Sequence, residues 1–246
     1  MRNMTFELCA ETLQACLAAR EGGADRIELC SALSAEGLTP SHAFIKAAIE
    51  RSGLPVHVLL RPRAGDFLYS EVEFALMRED LVHARSLGAS GFALGLLHAD
   101  GTVDVERTRE LVKLAAPLEV TFHRAFDVTP SLDAALEDVI TAGCGRVLTS
   151  GGERDAAAGA SRLARLVERA AGRIDIAVGG GLRLDNAAQV ARATRAHQFH
   201  GSVRKMLQPA AGAVAQSFLT EYVVDPNDIR TLVKALRERD ERSARD

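Results

Sequence analysis

Short apolar runs alternate with longer stretches of helical period along this chain, and that alternation limits its possible folds more than any other feature. The runs cover residues 5–9, 26–30, 56–60, 91–94, 119–122, 146–149, 174–178 and, more weakly, 198–200. Between them, residues 11–20, 41–52, 71–87, 105–115, 132–142, 156–171 and 185–195 carry apolar side chains at three- and four-residue spacing. Strict alternation of this kind predicts a parallel sheet with helical crossovers. Eight such units in 246 residues predict an α/β fold closed into a single-domain (β/α)8 barrel rather than an open doubly wound sheet. Gly22, Gly88, Gly143 and Gly172 stand where a helix needs a left-handed terminating residue before the next strand. After the eighth strand, helix is expected over 209–222 and 227–239, and the charged tail 238–246 is expected to fray.

Composition narrows the partners. A formal charge of −3 supplies no bulk attraction to a phosphate backbone or an anionic membrane, and a chain without Trp and with two Tyr offers no stacking platform for bases. The expected partner is a small molecule or a metal ion. Residues 1–10 carry no long apolar run after Arg2, so neither a signal peptide nor a membrane anchor is expected there. Four cysteines without a secretion signal read as reduced thiols, which implies a cytoplasmic location.

In a barrel, chemistry belongs at the carboxyl ends of the strands. Period-two alternation in the first strand puts Glu7 and Cys9 on the interior face and Phe6 and Leu8 toward the helices; the second strand repeats this with Glu28 and Cys30. The third places His57, Leu59 and Arg61 together, with Arg63 beyond, and the fifth sets Thr121 with His123, followed by Arg124 and Asp127. Glu7, Glu28, Arg61 and His123 thus form the expected polar centre. Interior carboxylates need partners, and Arg61 is the natural counter-ion. The cluster reads either as structural ion pairing or as a catalytic centre, with Glu7 or Glu28 as general base, His123 as acid and Arg61 as anion clamp.

The late loops are glycine-rich: Gly151 and Gly152 follow strand six, Gly180 and Gly181 strand seven, Gly201 and Ser202 strand eight. Backbone amides there either turn the chain tightly or bind phosphate or another anion. Of four lysines only Lys205 lies near a strand end, which argues against Schiff-base chemistry. Cys16 and Cys144 read as packing residues, and His42, His83, His98 and His197 as surface or structural; His200, ending strand eight, is a secondary candidate for the mouth.

The stretches FELCAET (6–12), GGADRIELCSALS (22–34), GLTPS (37–41), RPRAGDFLYS (61–70), GLLHADGTVD (95–104), HRAFD (123–127), RVLTSGG (146–152), VGGGL (178–182) and HGSVR (200–204) resemble the CutC family, the proteins labelled for copper homeostasis. The chain departs from the family's usual glycines at Glu36 and Ala64, which stiffens two loops at the mouth. The resemblance implies a cytoplasmic TIM barrel, often a homo-oligomer, that binds Cu(I) through Cys9 and Cys30. Two soft thiolates on adjacent strands can form a two-coordinate copper site, while free cysteines also serve as small buried hydrophobes. Two function classes stay open: a copper-binding protein, and an enzyme acting on a small anionic metabolite, a phosphorylated one included.

Overall fold

The computed structural model describes residues 4–207 and 221–243. Eight parallel strands close a barrel in sequence order: β1 (Thr5–Ala10), β2 (Arg26–Leu29), β3 (Val56–Leu59), β4 (Gly91–Leu94), β5 (Glu119–Phe122), β6 (Arg146–Thr149), β7 (Asp175–Val178) and β8 (Gln198–Gly201). The closing seam pairs β1 with β8 and sets Glu7 opposite His200. The helices are α1 (Leu13–Gly22), α2 (His42–Ser52), α3 (Glu71–Ser86), α4 (Val105–Ala115), α5 (Leu132–Ala142), α6 (Ala160–Ala170), α7 (Ala187–Thr194) and α8 (Pro226–Ser243). No described helix is long and apolar enough to cross a membrane.

The alternation within strands sorts the side chains as expected. Phe6, Leu8, Ile27 and Leu29 are fully shielded in the layer between barrel and helices. Cys9, Cys30, Leu59 and Ala93 form a small separate cluster inside the barrel. Helix starts are fixed by side chains that take up otherwise unpaired backbone N–H groups. Thr12, Ser41, Ser131 and Asp104 cap α1, α2, α5 and α4, and Ser70 with Glu73 forms a reciprocal capping box on α3.

The C-terminal part differs from expectation. Residues 209–220 of the expected helix lie outside the described residues, and Tyr222 sits in a strand, β10 (Glu221–Val224), antiparallel to β9 (Arg204–Leu207). The tail expected to fray from 238 is helical through Ser243. Buried Ile229, Leu232, Val233 and Leu236 anchor α8, which packs between α1 and α7 and completes the outer ring. This explains Gly22 differently from its expected terminator role. Gly23 is the left-handed cap of α1 (φ 81°), and Gly22 lacks a side chain because a Cβ would meet Ile229 Cβ at 2.4 Å.

Candidate functional site

Glu7 lies at the centre of the barrel with no solvent exposure. Arg146 Nη2 donates to both its carboxylate oxygens, at 2.5 and 2.6 Å, while Arg146 Nε donates to Thr121 Oγ1 at 2.9 Å. Arg26 Nε stands 2.8 Å from Glu7 Oε2, and His200 Nδ1 is 2.8 Å from Glu7 Oε1. Burial works against the charge on Glu7, but the His200 hydrogen bond and the Arg26 charge outweigh it and hold the carboxyl below its ordinary value.

Arg61 is therefore not the counter-ion of the interior carboxylates. It lies beyond the end of β3, and its guanidinium turns toward the loops, donating to the carbonyls of Ala35 (2.7 Å), Gly37 (2.9 Å) and Gly65 (2.8 Å). The pairing is done by Arg26 and Arg146. Both start strands that read as apolar, yet strand period already places Arg26 on the face of Glu28 and Arg146 on that of Leu148.

Above this floor, three donors of different chemistry converge. The Cys9 Sγ, a Glu28 carboxylate oxygen and a His200 ring nitrogen all lie within 4.8 Å of one another, and all three residues are buried. Cys9 Sγ is 3.8 Å from Glu28 Oε1, and His200 Nε2 is 4.0 Å from the same oxygen. Glu28 Oε2 has no hydrogen-bond partner among the described residues. Burial, opposed in part by His200, lifts the Glu28 carboxyl to about 7. The hydrogen bond with Cys30, together with burial, raises the Cys9 thiol well above its ordinary value. Both groups therefore hold their protons in the absence of a cation, and a bound cation would take the place of those protons and stabilise the ionised forms. The Glu7 contact to His200 Nδ1 reproduces the carboxylate–histidine support common behind metal-binding imidazoles, leaving Nε2 free to face a ligand.

Cys30 lies behind this group. Its Sγ is 3.7 Å from Cys9 Sγ, but it is fully buried and is not among the residues that line the mouth. With metal–sulfur bonds of about 2.3 Å, a linear two-coordinate ion needs sulfurs about 4.6 Å apart. The observed 3.7 Å spacing is shorter than that, so the two thiols as they stand do not match a linear two-sulfur site.

The mouth is a cavity of about 1040 Å³ with Cys9, Glu28, Arg61, His123 and His200 in its walls. Among the described residues no hydrogen bond or ion pair joins His123 to the interior carboxylates. It begins a short 3₁₀ turn (Arg124–Val128), where its Nδ1 accepts from Ala125 N at 3.1 Å, and burial followed by the charge of Arg61 lowers its pKa to about 3.

Of the glycine loops, Gly180, Gly181, Gly201 and Ser202 line the cavity, whereas Gly151 and Gly152 do not. The loop after β6 has its amides occupied: Ser150 N and Gly152 N donate to Asp127, and Gly151 N to Thr149 Oγ1. An anion would find no free donor in Gly151 or Gly152. Glu36, which stands where the resemblance leads one to expect glycine, is held in the left-handed region at φ 67°.

The CutC family model matches residues 4–205. A family protein CutC of Chromobacterium violaceum is 50% identical over 205 residues, covering 83% of each chain. One of Bacteroides fragilis (strain NCTC 9343) is 43% identical over 209 residues, covering 85% of this chain and 83% of its own. The crystal structure of a Streptococcus agalactiae protein named for copper homeostasis, CutC, superposes with a TM-score of 0.77 at 32% identity, covering 81% of this chain and 98% of its own. Matches of this extent, over the barrel that carries the site, place the chain in a family: it belongs to the CutC family.

Proposed function

We propose that this barrel binds a soft metal ion, copper(I), at the floor of its mouth, through Cys9 and His200 with Glu28 beside them and Cys30 in support. The observation that carries this reading is the convergence of thiol, imidazole and carboxylate within 4.8 Å, with the imidazole braced from behind by Glu7. Thiolate and imidazole suit Cu(I), while the harder carboxylate contributes least to a soft ion and more to a borderline one such as Zn²⁺. The family's association with copper homeostasis supports the same metal, and a cytoplasmic location fits its reduced thiols.

The test is anaerobic titration of Cu(I) against a competing chelator. The wild-type protein should bind one equivalent, Cys9→Ser and His200→Phe should each lose at least about 100-fold in affinity, and Glu28→Gln should lose less, because removing a ligating thiolate or imidazole costs more of a soft-ion site than removing a carboxylate. Binding indifferent to both Cys9 and His200 contradicts the assignment. A second reading, an enzyme acting on a small anionic metabolite, is favoured by the size of the mouth, since about 1040 Å³ far exceeds the space that a single ion fills and matches that of an organic ligand.

A further inference from the structure

Among the described residues, five Arg and Lys side chains line the mouth, and four of them are paired with a carboxylate. Arg124 pairs with Asp127 (2.8 Å), Arg183 with Asp185 (3.4 Å), Arg204 with Glu11 (3.0 Å) and Lys205 with Asp228 (2.5 Å). The fifth is Arg61. It is 4% exposed and has no carboxylate partner among the described residues. Three of its N–H groups are spent on neutral carbonyls, which satisfy hydrogen bonds without balancing charge; the neutral Tyr69 hydroxyl also lies beside the guanidinium, and the Nε makes no hydrogen bond of good geometry among the described residues. A buried guanidinium in this state is an unfilled electrostatic requirement.

The neighbouring His123 has a matching vacancy. Its Nδ1 accepts the Ala125 amide, which fixes the tautomer and puts the ring proton on Nε2, and that Nε2–H also lacks an acceptor. Phe67 joins the two: the Arg61 guanidinium lies 5.2 Å from the centre of its ring and the His123 ring 5.1 Å from it. The wall of the mouth thus contains a positive charge, an apolar face and two N–H groups that have no hydrogen-bond acceptor among the described residues and are almost fully shielded from solvent.

We infer that Arg61 and His123 hold the carboxylate of a small organic acid, with Phe67 packing against its carbon skeleton. Two side-chain N–H groups match the two oxygens of a carboxylate. Phosphate is the competing ligand that the experiment separates: the amides of the loop after β6 are taken by Asp127 and Thr149, but Gly180, Gly181, Gly201 and Ser202 line the same cavity. The inference does not depend on the metal reading, since neither donor belongs to the Cys9, Glu28 and His200 group.

The experiment uses metal-free protein dialysed against a chelator, so that its outcome is separate from metal binding. Acetate, pyruvate, malonate, citrate and inorganic phosphate are titrated at constant ionic strength, read by calorimetry and by the ¹⁵N–¹H signal of His123 Nε2. At least one carboxylate should bind one-to-one and shift that signal saturably. His123→Phe should weaken its binding at least about tenfold, and His123→Gln, which returns an N–H near the same place, should recover most of it; folding of each variant is checked by circular dichroism. The inference is overturned if no carboxylate binds saturably, if phosphate alone binds, or if a folded His123→Phe protein binds as well as wild type.

Discussion

Replacing Arg146 with methionine should destabilise the barrel by about 3–5 kcal/mol, the range found when one partner of a buried ion pair is removed. Arg146 is 1% exposed and Glu7 not at all, and the two are joined by paired short hydrogen bonds across the barrel interior. The variant leaves Glu7 with Arg26 and His200, which lessens the loss, but it also strands Thr121 Oγ1 and opens space where a long side chain packed. The double variant Glu7→Gln/Arg146→Met should regain part of the stability, because the buried carboxylate that has lost one of its partners is neutralised while Arg26 keeps Glu119. Urea denaturation of the three proteins checks this. Equal stability of wild type and Arg146→Met would show that the pair does not hold the barrel together.

Acidification should weaken the fold through His123. Its folded pKa, lowered to about 3, lies below the ordinary 6.5, so between those values the unfolded chain takes up a proton that the folded protein refuses. Above pH 6.5 both states are neutral at this position and nothing is lost. As pH falls, stability drops by about 1.4 kcal/mol per unit, or about 2 kcal/mol by pH 5, and the loss levels off only near pH 3. His123→Phe carries no such proton, so its urea midpoint should fall less between pH 7 and pH 5 than that of wild type. Parallel slopes for the two proteins would refute the assignment.

The barrel was legible in the sequence because strand and helix periods alternate cleanly and each is a local property. The same local rule placed Glu7, Cys9, Glu28 and Cys30 inside. Their partners were harder to read, since Glu7 meets Arg146 139 residues away and His200 193 residues away, and only closure of the barrel sets that register. Arg146 and Arg26 could have been found by extending the alternation to the first residue of each strand. Arg61 could not have been excluded as the counter-ion, because the direction of its guanidinium depends on loops 35–37 and 65. The role of Gly151 and Gly152 was hidden for a similar reason: Asp127, more than twenty residues earlier, occupies the amides of that loop. The β9–β10 pairing joins segments on either side of residues 208–220 and has no local signature.

The central claim is that Cys9 and His200 share one metal ion at the floor of the mouth. X-ray absorption at the copper edge of protein loaded with one equivalent of Cu(I) tests it most directly. A first shell of sulfur together with nitrogen, in a three-coordinate arrangement that loses its nitrogen in His200→Phe, is the result this account predicts; a linear shell of two sulfurs, unchanged in His200→Phe, would contradict it.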